Sequence, residues 1–151
     1  MSNFIPKDPN FEGKIKVRFS KQGLLQNFDA TLQRIEPGVA ELVMPFDEKL
    51  TQQDGFLHAG AITTLVDSAC GFAAYSLMPA GSRVLSVEFK INLLSPADGD
   101  HFLARGTVIK PGRIITVCEG KFYSFKDGKK KLSALMQATM ICIQEDSNTG
   151  A

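Results

Sequence analysis

In the second half of the chain, apolar and polar residues take turns. From Val84 onward, Leu85, Val87, Phe89, Ile91 and Leu93 alternate with Ser86, Glu88, Lys90 and Asn92, the period-two pattern of a strand with one buried face. Pro96 to Asp100 ends that run. Three more β-rich runs follow, Phe102 to Ile109, Ile114 to Phe125 and Leu132 to Ile143, separated by Pro111-Gly112 and Asp127-Gly128. Earlier, Ala30 to Glu36 and Val39 to Phe46 flank Pro37-Gly38, which predicts a hairpin.

Helical spacing occupies the remaining stretches. Residues 59–82 are apolar or small almost throughout, and the segment is predicted to open as a helix at Asp54-Gly55 and to stop at Pro79-Ala80-Gly81. Lys14 to about Phe28 carries Val17, Leu24, Leu25 and Phe28 at helical intervals, interrupted by Gly23. A short first helix is expected there, after an irregular lead-in over residues 1–12. The chain should end in a polar tail over 145–151.

Helix, two strands, long helix and four strands with short connections define an α+β chain whose strands are antiparallel neighbours. A helix that is apolar on nearly every side must be covered on nearly every side. With no second long helix available, a curved antiparallel sheet of about six strands has to wrap it. One domain over 13–144 is expected, because 151 residues suit a single core.

Composition narrows the partners. Lys+Arg 17 against Asp+Glu 16 gives a net charge of +1, so no global field favours nucleic acid or an anionic membrane. Residues 59–82 are long enough to raise a membrane span, but Thr63, Thr64, Asp67 and Ser68 lie within them and a strand pattern follows. Cys70, Cys118 and Cys142 are odd in number and sit in apolar runs, where free thiols act as small core residues. The opening MSNFIPKDPNF lacks a charged-then-apolar leader, and a cytoplasmic setting is expected. Two histidines without a nearby Cys or acidic cluster predict no metal site.

Candidate chemistry centres on Asp67, the lone charged side chain between Ala59 and Ser82. A carboxylate in an apolar segment is either satisfied structurally or used as a base or nucleophile. The start of the same helix supplies what such a reaction needs, since the N–H groups of Ala59 and Gly60, just after His58, have no intrahelical acceptors and suit a developing oxyanion. Ala59 and Asp67 are eight residues apart, about 12 Å along a helix axis, whereas a reacting carbonyl must lie about 3 Å from both. His58 and Asp67 face opposite sides of the helix, at about 900° of rotation. The groups converge only if a second copy of the helix runs antiparallel beside the first. Gly60, Thr64, Ser68 and Gly71 form a stripe of small residues that permits such an approach. His58 also has a capping reading, and His101 is expected to be structural.

LHAGAITTLVDSA followed by LSVEFKINLLSPA resembles the hotdog-fold acyl-CoA thioesterases of the phenylacetate-pathway (PaaI-like) family, over roughly Leu42 to Ile143. The resemblance implies a central helix wrapped by a six-stranded sheet, a homodimer joined edge to edge, often a homotetramer, and hydrolysis of an acyl-CoA without a separate cofactor. By matched position it implies Asp67 as base or nucleophile, Ala59 as oxyanion donor and Gln52 as a polar residue placing carbonyl or water. Ser86 matches a serine near the site in some members. Two departures are visible: the first glycine of the family's element is Ala59 here, and Gly71 stands where some members place a hydroxyl.

For CoA phosphates the candidates are Lys90, Lys110 and Arg113. Phe56, Phe72, Tyr75 and Met78 are candidates for an acyl tunnel, with plain core as the alternative. Two other functions compete with hydrolysis. A non-catalytic acyl-CoA binding protein needs the same pocket, and enoyl-CoA hydratases of the same fold place a histidine five residues after the acid, where this chain has Phe72.

Overall fold

The computed structural model describes residues 3–145, so the predicted tail lies outside the described residues from position 146. The helices are α1 (Phe11–Ser20), α2 (Gly23–Asn27) and α3 (Ala59–Tyr75). The strands are β1 (Thr31–Glu36), β2 (Val39–Pro45), β3 (Ser82–Leu93), β4 (His101–Lys110), β5 (Ile115–Lys126) and β6 (Lys129–Gln144). All six form one antiparallel sheet in the order β1-β2-β4-β5-β6-β3. It is the hotdog arrangement, with the sheet curved round α3. No helix among the described residues is long and apolar enough to cross a membrane.

α3 carries the core. Ile62, Leu65, Val66, Ala69, Cys70 and Phe72 are buried on it, against Met44, Phe102, Phe122, Met136 and Met140 of the sheet. Contact is closest at Gly106 and Gly120, which face one another across β4 and β5. A β-carbon at Gly106 would land on the carbonyl of Ala69, and one at Gly120 on the side chain of Val66. Two adjacent positions without side chains therefore let the helix rest directly on the sheet. At the far end of α3, the half-buried ammonium of Lys14 donates 2.6 Å to the carbonyl of Met78 and lies 4.4 Å from the Tyr75 ring. A cation at helix C-terminal carbonyls is favourable, and it fastens α1 to the end of the long helix.

Several boundaries differ from the sequence expectation. The first helix begins at Phe11, inside the expected lead-in, and Gly23 opens a second short helix instead of interrupting one. The long helix starts at Ala59, not Asp54-Gly55. Gly55 adopts φ +83°, and the preceding loop folds back so that His58 N–H donates to the Leu50 carbonyl at 2.8 Å.

β3 departs most from expectation. It is the sheet edge, and Leu85, Val87, Phe89 and Leu93 are 53%, 54%, 42% and 53% exposed. The strand also carries a bulge between Ser86 and Glu88, which shifts the inward-facing set by one residue. Ahead of the bulge Ser86 pairs with buried Met140 and faces the helix; after it Phe89 and Ile91 pair with buried Ala138 and Met136. The apolar alternation is therefore real in the sequence but does not mark one continuous buried face.

The fit at Gly106 is testable by denaturant unfolding. Gly106→Ala must displace backbone and is expected to cost about 1–3 kcal/mol, while Gly23→Ala, with nothing within 4 Å, should leave stability unchanged or raise it.

Candidate active site

The start of α3 is built by His58. It is the N-cap with ψ 141°, and its Nδ1 accepts a 2.8 Å hydrogen bond from Gly60 N–H. Ala61 and Ile62 N–H groups donate to the His58 carbonyl at 3.0 and 3.2 Å. Ala59 N–H is thereby left without an acceptor among the described residues. This corrects the expectation for Gly60, whose N–H is consumed by the cap, and leaves Ala59 as the available donor. His58 sits here as the residue that shapes the helix start.

Gln52 lies in the loop that leads to this cap. Its backbone N–H donates to the Phe56 carbonyl at 2.8 Å, and its side-chain oxygen accepts from Asp54 N–H. Phe56 is half-buried in the same loop. Through the link from His58 to Leu50, the loop is held against the helix N-terminus.

Asp67 stands on the strip of α3 that the sheet leaves uncovered, with Gly60, Thr63, Thr64, Ser68 and Gly71, none of them fully buried. Ser86 O–H donates to Asp67 Oδ1 at 2.7 Å, which the β3 bulge makes possible. Burial holds the Asp67 carboxyl above the usual carboxylate range, and the Ser86 bond pulls in the opposite direction and is the smaller effect. A cavity of about 190 Å³ opens beside the carboxylate, lined also by Gln22, Ser68, Phe72, Val84 and Met140. Neither Ala59 nor Gln52 lines it. One chain thus presents a donor at the head of α3 and a carboxylate about 12 Å further along the same rod.

The remaining candidates are dispersed. Lys90 borders a groove on the outer face of the sheet with Asn92, Glu119 and Gln137. Lys110 is exposed at the end of β4. Arg113 lines a separate cavity of about 130 Å³ beside Met78 and Pro79, at the opposite end of α3 from its donor. The structure does not bring these three cations together. Phe72 reaches the Asp67 cavity, whereas Tyr75 O–H donates to the Ser82 carbonyl at 3.0 Å and Met78 lines the Arg113 cavity. His101 stacks on Phe125 with ring centroids 4.5 Å apart. Among the described residues no cluster of His, Cys, Asp and Glu is arranged to hold a metal ion. Gln22 and Met140 went unnoticed in the sequence, because only the tertiary fold brings them to Asp67.

Residues 54–131 match the Thioesterase superfamily model. A crystal structure of a thioesterase family protein from Silicibacter pomeroyi is 44% identical, with a TM-score of 0.89 over 89% of this chain and 99% of its own. A candidate esterase of Saccharolobus solfataricus is 34% identical over 121 residues, 80% of this chain and 84% of the relative. The PaaI protein of the E. coli phenylacetic acid degradation operon shares the fold, with a TM-score of 0.81 over 91% of this chain and 96% of its own at 17% identity.

The burial of Asp67 carries a consequence for stability. Its pKa is raised in the folded state, so the neutral form is favoured there, and the stability this gives is present below the unfolded pKa and lost as pH rises through the folded one. Asp67→Asn should therefore raise the midpoint of thermal unfolding at pH 7, and the gain should disappear as pH is lowered through the carboxylate range. Equal midpoints at pH 7 would contradict this.

Proposed function

From the membership of this chain in the thioesterase superfamily, as a PaaI-like hotdog thioester hydrolase, we propose that its substrate is an acyl-CoA and that each active site is shared by two subunits. The observation that carries this reading is the separation of the unpartnered Ala59 N–H from Asp67 along one rigid helix.

An exposed apolar edge strand with unpaired backbone groups is a surface that needs a partner. Leu85, Val87 and Phe89 present such an edge, and it is contiguous with the uncovered strip of α3 through the bond from Ser86 to Asp67. Antiparallel pairing of two β3 edges about a twofold axis lays the two α3 helices side by side. The head of each then meets the middle of the other. Small residues at Gly60, Thr64, Ser68 and Gly71 let the backbones approach. Further association into a tetramer is compatible with this arrangement.

In the chemistry, the thioester oxygen accepts a hydrogen bond from Ala59 N–H of one protomer, aided by the helix dipole. Asp67 of the other removes a proton from water as the water oxygen attacks the carbonyl carbon. The tetrahedral intermediate collapses with cleavage of the C–S bond, and the CoA sulfur leaves with the proton, giving free acid and free thiol. A carboxylate made more basic by burial suits the base role at neutral pH. Ser86 orients it, and Gln52, in the loop that leads to the helix start, places the carbonyl or the water. No cofactor beyond the CoA of the substrate is required by these steps. Of the basic candidates, Lys90 alone lies on β3, which favours it for the CoA phosphates over Lys110 and Arg113. The free thiols of Cys70, Cys118 and Cys142 fit a reducing, cytoplasmic setting.

Release of free CoA from a panel of acyl-CoAs, followed with a thiol reagent, tests the reading. Wild type should turn over, and Asp67→Ala should lower kcat by about 10²–10⁴-fold with its oligomeric state intact. Equal rates would remove Asp67 from the reaction. Binding without thiol release by wild type would make the protein an acyl-CoA binder.

A further inference from the structure

We propose that Gln22 determines acyl specificity, selecting acyl groups that carry a hydrogen-bonding atom at their far end; this rests on Asp67 being the hydrolytic carboxylate.

Gln22 belongs to the corner between α1 and α2, far in sequence from the start of α3. Its backbone is held on both sides: its N–H donates to the Phe19 carbonyl at 3.1 Å, and its carbonyl accepts from Gln26 N–H at 3.2 Å. The Phe19 ring, 6.1 Å from that of Phe72, sets this corner over α3. The side-chain amide has no hydrogen-bond partner among the described residues, and Gln22 lines the same cavity as Asp67 and Ser86.

The cavity continues beyond the carboxylate. Gly71 is one helical turn past Asp67, and a β-carbon there would meet nothing within 4 Å. Phe72, Val84 and Met140 supply apolar wall, Asp67, Ser68 and Ser86 supply polar wall, and Gln22 is the polar group on the lining contributed by the N-terminal helices. About 190 Å³ is the space that one protomer contributes beside the carboxylate, and Gln22 stands on its wall. An acyl terminus reaching Gln22 displaces the water from its amide. A hydroxyl or carbonyl oxygen replaces those hydrogen bonds, and a methyl group leaves them unmade, so the apolar analogue is penalised.

The test compares matched acyl-CoAs of equal size that end in methyl or hydroxyl, such as hexanoyl-CoA with 5-hydroxypentanoyl-CoA, together with an aromatic pair. Wild type should favour the hydroxyl member in kcat/KM by about tenfold or more. Gln22→Leu should reverse the preference, and Gln22→Met, which keeps the length without the amide, should do the same if the leucine variant folds poorly. A ratio unchanged in both variants, with wild type hydrolysing its substrates, overturns the role of Gln22 and leaves the thioesterase reading standing. Absence of thiol release from every acyl-CoA overturns both.

Discussion

The fixed rise of an α-helix governs what this chain does chemically. Ala59 N–H and the Asp67 carboxylate are mounted on one rod, α3, and backbone hydrogen bonding keeps them about 12 Å apart. No side-chain rotation closes that gap. The rod itself is immobilised, because Gly106 and Gly120 let the sheet press on its backbone and Lys14 fastens its C-terminal end. A reaction that uses both groups therefore has to borrow one of them from a second molecule.

That requirement accounts for features that look like defects in a lone protomer. An apolar edge strand is a liability if left facing water, and beside it a stripe of glycine, threonine and serine interrupts an otherwise apolar helix. They lie side by side, joined by the hydrogen bond from Ser86 to Asp67. Covering both at once desolvates the carboxylate further and raises its basicity. In the proposed dimer, association and catalysis are then driven by the same burial.

Much of this was legible in the residues. The curved six-stranded sheet followed from the demand that an all-round apolar helix be wrapped, and counting residues between Ala59 and Asp67 is what leads to the proposal of a shared site. Hydrophobic periodicity failed at β3, where a single bulge between Ser86 and Glu88 moved Ser86 to the inner face; a one-residue register shift leaves no mark in an alternating pattern. Capping by His58 was foreseen as an alternative, but that it would consume the Gly60 N–H and leave that of Ala59 free depended on the ring orientation. Gln22 lay hidden for a different reason, since a residue in a short interhelical corner reaches the carboxylate only through packing of Phe19 on Phe72.

Subunit complementation tests the shared site most directly. Ala59→Pro removes the N–H donor at the first helical position, where proline is tolerated, and Asp67→Ala removes the carboxylate. Each homodimer alone should be inactive. Co-refolded in equal amounts, half the dimers should be mixed and each should hold one intact site, so thioesterase activity should return to about a quarter of the wild-type level. Mixed dimers that form and stay as inactive as the two parents would show that donor and carboxylate act within one chain, and the account would fail.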